Sequence, residues 1–196
     1  MLTTTITLLR KAGACSEGYR KLVRYLGGVQ YYGEEAPIPL AMVLESNGLS
    51  DALWCLRAVP PEAEAQRDRL ARLLACDYAE HVLSIFEAAY PEDKCPRQAI
   101  EVSRRFVRGE ATTDEMAAAW AAAWAATEAT AGAGTWTAAR AAAWAAARAA
   151  ARAAAGDAAG AAAWAAAWAA AGAAAWAAER TWQKERFIAM LNEKEA

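Results

Sequence analysis

The sequence predicts an all-α protein, a compact multi-helix bundle of short helices followed by long Ala/Trp-rich packed helices. Three observations predict it. Leu70, Leu73, Leu74, Val82, Ile85 and Phe86 recur at spacings of three and four, the mark of one buried helical stripe. No run of alternating β-branched residues appears. From Trp120 to Lys184 most residues between the marks of a four-residue repeat are alanine, the strongest helix former because it loses no side-chain entropy.

The elements follow from local punctuation. A first helix is expected over Thr4 to Lys11. A second starts after Ser16, carries Tyr19, Leu22, Val23 and Leu26 on one face, and stops at Gly27-Gly28. Val29 to Ala36 reads as a loop, after which Pro37 and Pro39 suit a helix's first turn and Leu40, Met42, Val43 and Leu44 lead to a stop at Asn47-Gly48. Ser50 with Asp51 then opens a helix bearing Leu53, Trp54 and Leu56, which Pro60-Pro61 ends. The long helix follows, Glu62 to Ala89. Pro91 closes it, Pro96 opens the next with Ile100, Phe106 and Val107, and Gly109 caps that one. Thr112 and Glu115 are spaced as a capping box, so the alanine-rich region begins as a properly started helix. Gly132 and Gly134 break it. Further helices are expected over about 135–155 and from near Asp157 through Trp176, with a division of the chain into 1–110 and 111–196 packed as one domain.

The alanine-rich region keeps a register of four, marked by Trp120, Trp124, Glu128, Gly132, Trp136, Arg140, Trp144, Arg148, Arg152, Gly156, Gly160, Trp164, Trp168, Gly172, Trp176, Arg180 and Lys184. Trp, Arg and Gly codons ending in GG differ only at the first base, so a slipping short DNA repeat generates this pattern. A step of four exceeds the helical period of about 3.6, so the marked stripe turns by about 40° per step. Two uses of the indoles follow. They are either core and inter-helix filler, or an aromatic-lined groove in which Arg140, Arg148 and Arg152 bind anions or stack on rings.

Net charge is only −2, with both halves near balance, which argues against a nucleic-acid footprint. Cys15, Cys55, Cys76 and Cys95 are widely spaced, without CxxC pairs, and read as small buried hydrophobes rather than zinc ligands or a disulfide framework. MLTTTITLLRKAGAC has no charged leader before a long apolar run, so no signal peptide and a cytoplasmic setting are expected. Ala158 to Ala178 has the length of a membrane span and lacks its chemistry, because Leu, Ile, Phe and Val are missing and Trp164 and Trp168 would sit in the middle.

Candidate chemistry is sparse. His81 is the single histidine, and Asp77 lies four residues before it on the same helical face, a pair best read as structural. Glu92, Asp93 and Glu101 form no recognisable carboxylate dyad, and Arg104, Arg105 and Arg108 read as a solvated helix face. Tyr31 and Tyr32, with Glu34-Glu35, make a polar-aromatic loop suited to contact with a partner. These observations predict no enzyme and no cofactor.

Four stretches taken together, KAGACSEGYRKLVRYLGG, PIPLAMVLESNGLSDALWCLRAV, RDRLARLLACDYAEHVLSIFE and PEDKCPRQAIEVSRRFVRGEAT, resemble the putative immunity proteins encoded by bacteria and phages. The resemblance covers about residues 5–115 by motif and the remainder by composition alone. It implies an all-helical cytoplasmic protein that neutralises a toxin or defence effector, and it carries over no catalytic residues. Glu45, Asn47, Asp51, Arg57, Arg72, Asp77, Glu80 and His81, at matching positions, then serve to hold the fold.

Three functions compete at this level. The first is an immunity-type binder that occludes a protein toxin or effector. The second is a phage-type sponge that sequesters a nucleotide-like small molecule between Trp faces and Arg side chains, drawing on Trp120, Trp124, Trp136, Arg140, Trp144, Arg148, Arg152, Trp164 and Trp168. The third is a structural self-assembly module, a homo-oligomer with buried indoles.

Overall fold

The computed structural model describes residues 1–130 and 176–193. Among these residues there are nine α-helices: α1 (Ile6–Lys11), α2 (Ser16–Tyr25), α3 (Val29–Tyr32), α4 (Leu40–Asn47), α5 (Leu49–Cys55), α6 (Glu64–Ala89), α7 (Cys95–Val107), α8 (Thr113–Thr130) and α9 (Trp176–Asn192). Two 3₁₀ turns, Leu56–Ala58 and Pro61–Ala63, lead from α5 to α6. The fold is all-α, with one small addition. Strands β1 (Thr3–Thr4) and β2 (Ile38–Pro39) pair antiparallel, Thr3 opposite Pro39 and Thr4 opposite Ile38. The helices expected within 131–175, and most of the membrane-length stretch 158–178, lie outside the described residues.

The chain forms two compact units, Met1–Arg67 with Arg186–Ala196, and Asp68–Glu185. The boundaries fall within α6 and within α9, and the compositional boundary after residue 110 lies inside the second unit.

In the first unit each short helix begins and ends on an identifiable group. Thr5 caps α1 by accepting the Leu8 N–H on its hydroxyl at 3.1 Å. Cys15 does the same for α2, its Sγ accepting from the Gly18 N–H at 3.3 Å. Gly48, at φ +94°, ends α4 and starts α5, a backbone state that a side chain would disfavour. Helix α4 packs on α2 and α5. Ile6, Leu9, Leu22, Ile38, Leu40, Val43, Leu44, Leu53 and Leu56 are buried there. The buried Thr4 hydroxyl donates to the Ala58 carbonyl at 2.5 Å, tying β1 to the turn after α5.

Two expectations change here. Residues 29–32 are a single helical turn rather than loop, flanked by Gly28 and Gly33 at positive φ. Pro39 precedes α4 instead of occupying its first turn, since its ψ of 137° is extended and the helix starts at Leu40; the proline also disfavours the helical state in Ile38 before it. With prolines at 37 and 39, Ile38 is extended and pairs with Thr4.

In the second unit α7 packs on α8. Ala99, Met116 and Ala123 form one buried cluster, bordered by Val102, Phe106 and Ala119. A second cluster joins Cys76, Ala79 and Leu83 of α6 to Ile100 of α7. The alanines bring no side-chain bulk beyond a methyl, which lets the helix surfaces approach closely. The capping box forms as expected: the Thr112 N–H donates to Glu115 Oε2 at 2.7 Å, and the Glu115 N–H donates to Thr112 Oγ1 at 3.2 Å. Arg97 grips Glu87 through Nε and Nη2 at 2.6 and 2.7 Å, a two-pronged ion pair from α7 to α6.

Among the described residues no helix is long and apolar enough to cross a membrane. No group of three or more His, Cys, Asp or Glu is placed to hold a metal ion there.

Candidate functional site

Helix α6 carries Asp77, Tyr78, Glu80 and His81 within two turns, and residues three and four apart share a helical face. Two other helices bring groups to them. From α7, Arg104 donates through Nη2 to Asp77 Oδ1 at 2.7 Å and also bonds Glu80. From α9, Glu179, Trp182 and Gln183 approach His81 and Tyr78.

The two halves of this array differ in their wetting. Asp77 is buried, whereas Glu80 is half-open to solvent, so Arg104 links an interior carboxylate to a surface one. Burial works against the charge on Arg104, but the hydrogen bonds it donates to Asp77 and Glu80 outweigh it and raise its pKa. The neighbouring Cys76 thiol is pushed up to about 12, chiefly by burial, so it stays protonated at neutral pH.

Glu179 is only 5% exposed. Its Oε1 accepts from Gln183 Nε2 at 2.8 Å, and its Oε2 lies 3.3 Å from His81 Nε2. Gln183, fully buried, accepts from Arg180 Nη1 on its side-chain oxygen at 3.2 Å, while its carbonyl accepts the Tyr78 hydroxyl at 3.1 Å. The imidazole of His81 lies flat on the Trp182 indole, with centroids 3.6 Å apart and planes 7° from parallel. Tyr78 meets the same indole edge-on. The array therefore holds a carboxylate, an imidazole and a guanidinium in fixed positions, with Glu80 and His81 at its outer edge. It can present these groups to a partner without rearrangement.

Asp77 and His81 thus take partners from different helices, Arg104 and Glu179 respectively. The view of Arg104 as part of a solvated face is corrected. Its side chain is 29% exposed and sits between two acidic groups, a pairing across helices that spacing along α7 does not reveal. Arg105 and Arg108 are more open, pairing with Glu115 and Glu110. The cysteines divide as well: Cys55 and Cys76 are buried, Cys95 is half-buried, and Cys15 is exposed at the start of α2.

Of the residues selected from sequence for contact, Tyr31 is 82% exposed on α3. Tyr32 is half-buried, its hydroxyl donating to the Pro37 carbonyl at 2.9 Å, so it braces the turn before β2. Trp120 lies on α8 and is 37% exposed. Trp124 belongs to the same helix, and its side chain lies outside the description. Trp136, Arg140, Trp144, Arg148, Arg152, Trp164 and Trp168 lie outside the described residues. Sequence reasoning missed Glu179, Trp182 and Gln183. A signal was present, since Trp182 falls midway between the register positions Arg180 and Lys184, where the repeat gives way to a different sequence.

A family model described as Imm-5 like putative immunity protein matches residues 62–190. The match begins after the first two of the four stretches that carry the sequence resemblance, and it runs through the alanine-rich region that composition alone had connected to the family. All members of the α6–α7–α9 array fall within it. No curated protein and no solved structure matches the chain. Matched over about two thirds of its length, the chain belongs to the Imm-5 like putative immunity protein family.

Proposed function

We propose that this protein is a non-enzymatic, cytoplasmic immunity factor that neutralises a protein toxin or defence effector by forming a stoichiometric complex. The observation that carries the reading is the family match over residues 62–190. The arrangement inside that span supports it. Preset charged groups favour recognition of a complementary surface, steering encounter and rejecting mismatched partners. Glu80, held by Arg104, is such a group, and His81 beside it is fixed by Glu179 and Trp182. The task of Glu80 is to meet a basic patch on the toxin, and no cofactor takes part.

Titration of a toxin that co-purifies with this protein from its own cells tests the reading. Toxic activity should fall linearly with added protein and vanish at a fixed molar ratio, with a complex of the summed mass in native mass spectra. Glu80→Lys should weaken the complex while the helix content stays unchanged. Neutralisation by a small fraction of an equivalent would mean turnover and overturn the binding mechanism. A small-molecule adduct or a bare oligomer in the same spectra, with toxin activity unaffected, would put the sponge or the assembly module in its place.

A further inference from the structure

The first unit holds a partly enclosed cavity of about 320 Å³ among α1, α2, α4 and α5, at the small end of the range of about 300–1,000 Å³ usual for small-molecule sites. It lies outside the family-matched residues. Most of its wall is apolar, from Leu9, Leu22, Val43 and Trp54. Among the described residues that line it, Asp51 alone carries a formal charge at neutral pH.

The polar corner around Asp51 is built, not incidental. Ser46 donates to Asn47 Oδ1 at 2.8 Å and fixes the orientation of that amide. The amide then donates through Nδ2 to the Gly18 carbonyl at 2.8 Å and to Asp51 Oδ2 at 2.7 Å. Gly18 stands inside α2, where a glycine is disfavoured, yet a Cβ there would come within 2.7 Å of Asp51 Oδ2. The missing side chain makes room for the carboxylate.

Asp51 forms no ion pair among the described residues, and its hydrogen bond there is the one from Asn47 to Oδ2. Among the described residues no hydrogen bond reaches Oδ1. The charge is felt by its surroundings, since the nearby Cys55 thiol is pushed up to about 12, by burial first and by Asp51 second. A carboxylate with no cationic partner among the described residues, on a mostly apolar wall, selects for a positive ligand with an apolar body.

We propose that this cavity binds a small organic ammonium compound, its cationic head on Asp51 Oδ1 and its body against Leu9, Leu22, Val43 and Trp54. The site is independent of the toxin-binding reading. It also differs in place and charge from an anion-binding Trp/Arg groove.

Benzylamine and 2-phenylethylamine are the probes, with 2-phenylethanol as the neutral analogue and phenylacetate as the anionic one, titrated calorimetrically into the full chain. At least one amine should bind saturably at one site, about tenfold or more tighter than the alcohol, with no binding of phenylacetate. Asp51→Asn, which keeps an acceptor for Asn47, should remove the preference for amine over alcohol. Gly18→Ala should weaken amine binding without altering any charge. A second readout needs no variant: Cys15 lines the cavity and is exposed, so bound amine should slow its alkylation while leaving Cys95 unaffected. The proposal is overturned if neither amine binds, if the alcohol binds as well as the amine, if Asp51→Asn keeps the preference, or if Cys15 gains no protection.

Discussion

The two units spend their polar groups differently. In the first, buried or half-buried polar side chains mostly serve the backbone: Thr4 on the Ala58 carbonyl, Thr5 on the start of α1, Asn47 on the Gly18 carbonyl. In the second, several hold one another across helices, Arg104 on Asp77 and Glu80, His81 on Glu179, Arg97 on Glu87. Backbone-serving groups fix short helices that local propensity alone would leave marginal. Side-chain pairs between helices add little net stability, because desolvation offsets most of the attraction, but they fix the positions of charges. The unit that falls within the family match is the one that fixes charges.

The comparison can be broken most forcefully in the first unit's core. Leu56→Ala removes a fully buried side chain and should cost about 3–4 kcal/mol in urea denaturation, given the cavity left behind. A cost below about 1 kcal/mol would mean that this core collapses easily around the gap. In the second unit Arg104→Ala strips a guanidinium from the buried Asp77 carboxylate. Breaking a fully buried pair costs about 3–5 kcal/mol; with Arg104 partly exposed, about 2 kcal/mol is expected. Arg104→Ala together with Asp77→Asn should recover part of that loss, and equal costs for single and double variants would deny the coupling.

Smaller effects sharpen the contrast. Thr4→Val leaves the Ala58 carbonyl without its donor in a buried setting and should cost about 1–2 kcal/mol. Thr112→Ala deletes half of the capping box and should cost about 1 kcal/mol, read as lower helicity and a lower melting temperature.

The smallest effect is a difference in acid response. Among the described residues the carboxyls held below their ordinary value are Glu87, Glu110 and Glu115, all in the second unit. Glu87 and Glu110 owe this to hydrogen bonds from Arg97 and Arg108, and Glu115 to the Thr112 backbone N–H. A carboxyl depressed on folding contributes stability above its unfolded value, near 4.5, and loses it as the pH falls through the folded value. Melting temperatures taken from about pH 6 down to about pH 3 should therefore drop, and Glu87→Gln should show a shallower drop. An identical slope in that variant would remove Glu87 from the account.

Much of the fold was legible because its signals are local. Gly27-Gly28, Asn47-Gly48, Pro60-Pro61 and the Thr112/Glu115 box mark ends and starts within a few residues of where the helices begin and stop. What the sequence concealed was pairing at a distance. Thr4 and Ile38 lie far apart in the chain, and two-residue strands are too short to show alternation. Arg104 looked solvent-facing because its partners sit on another helix. Asp77 and His81 were legible as candidates, but the residues that complete their surroundings, Glu179, Trp182 and Gln183, follow an alanine repeat that draws attention to its own register. Tyr32 shows the converse error, a residue selected for contact whose hydroxyl is committed to the Pro37 carbonyl.

The stacking of His81 on Trp182 has a magnetic consequence. A ring lying flat over an indole at 3.6 Å sits in the shielding zone of the indole's ring current, so the carbon-bound imidazole protons should resonate well upfield of their free positions. Because the chain has a single histidine, those two resonances belong to one residue without isotopic labelling or assignment. An ordinary proton spectrum can thus follow whether α6 and α9 stay docked as a toxin is added.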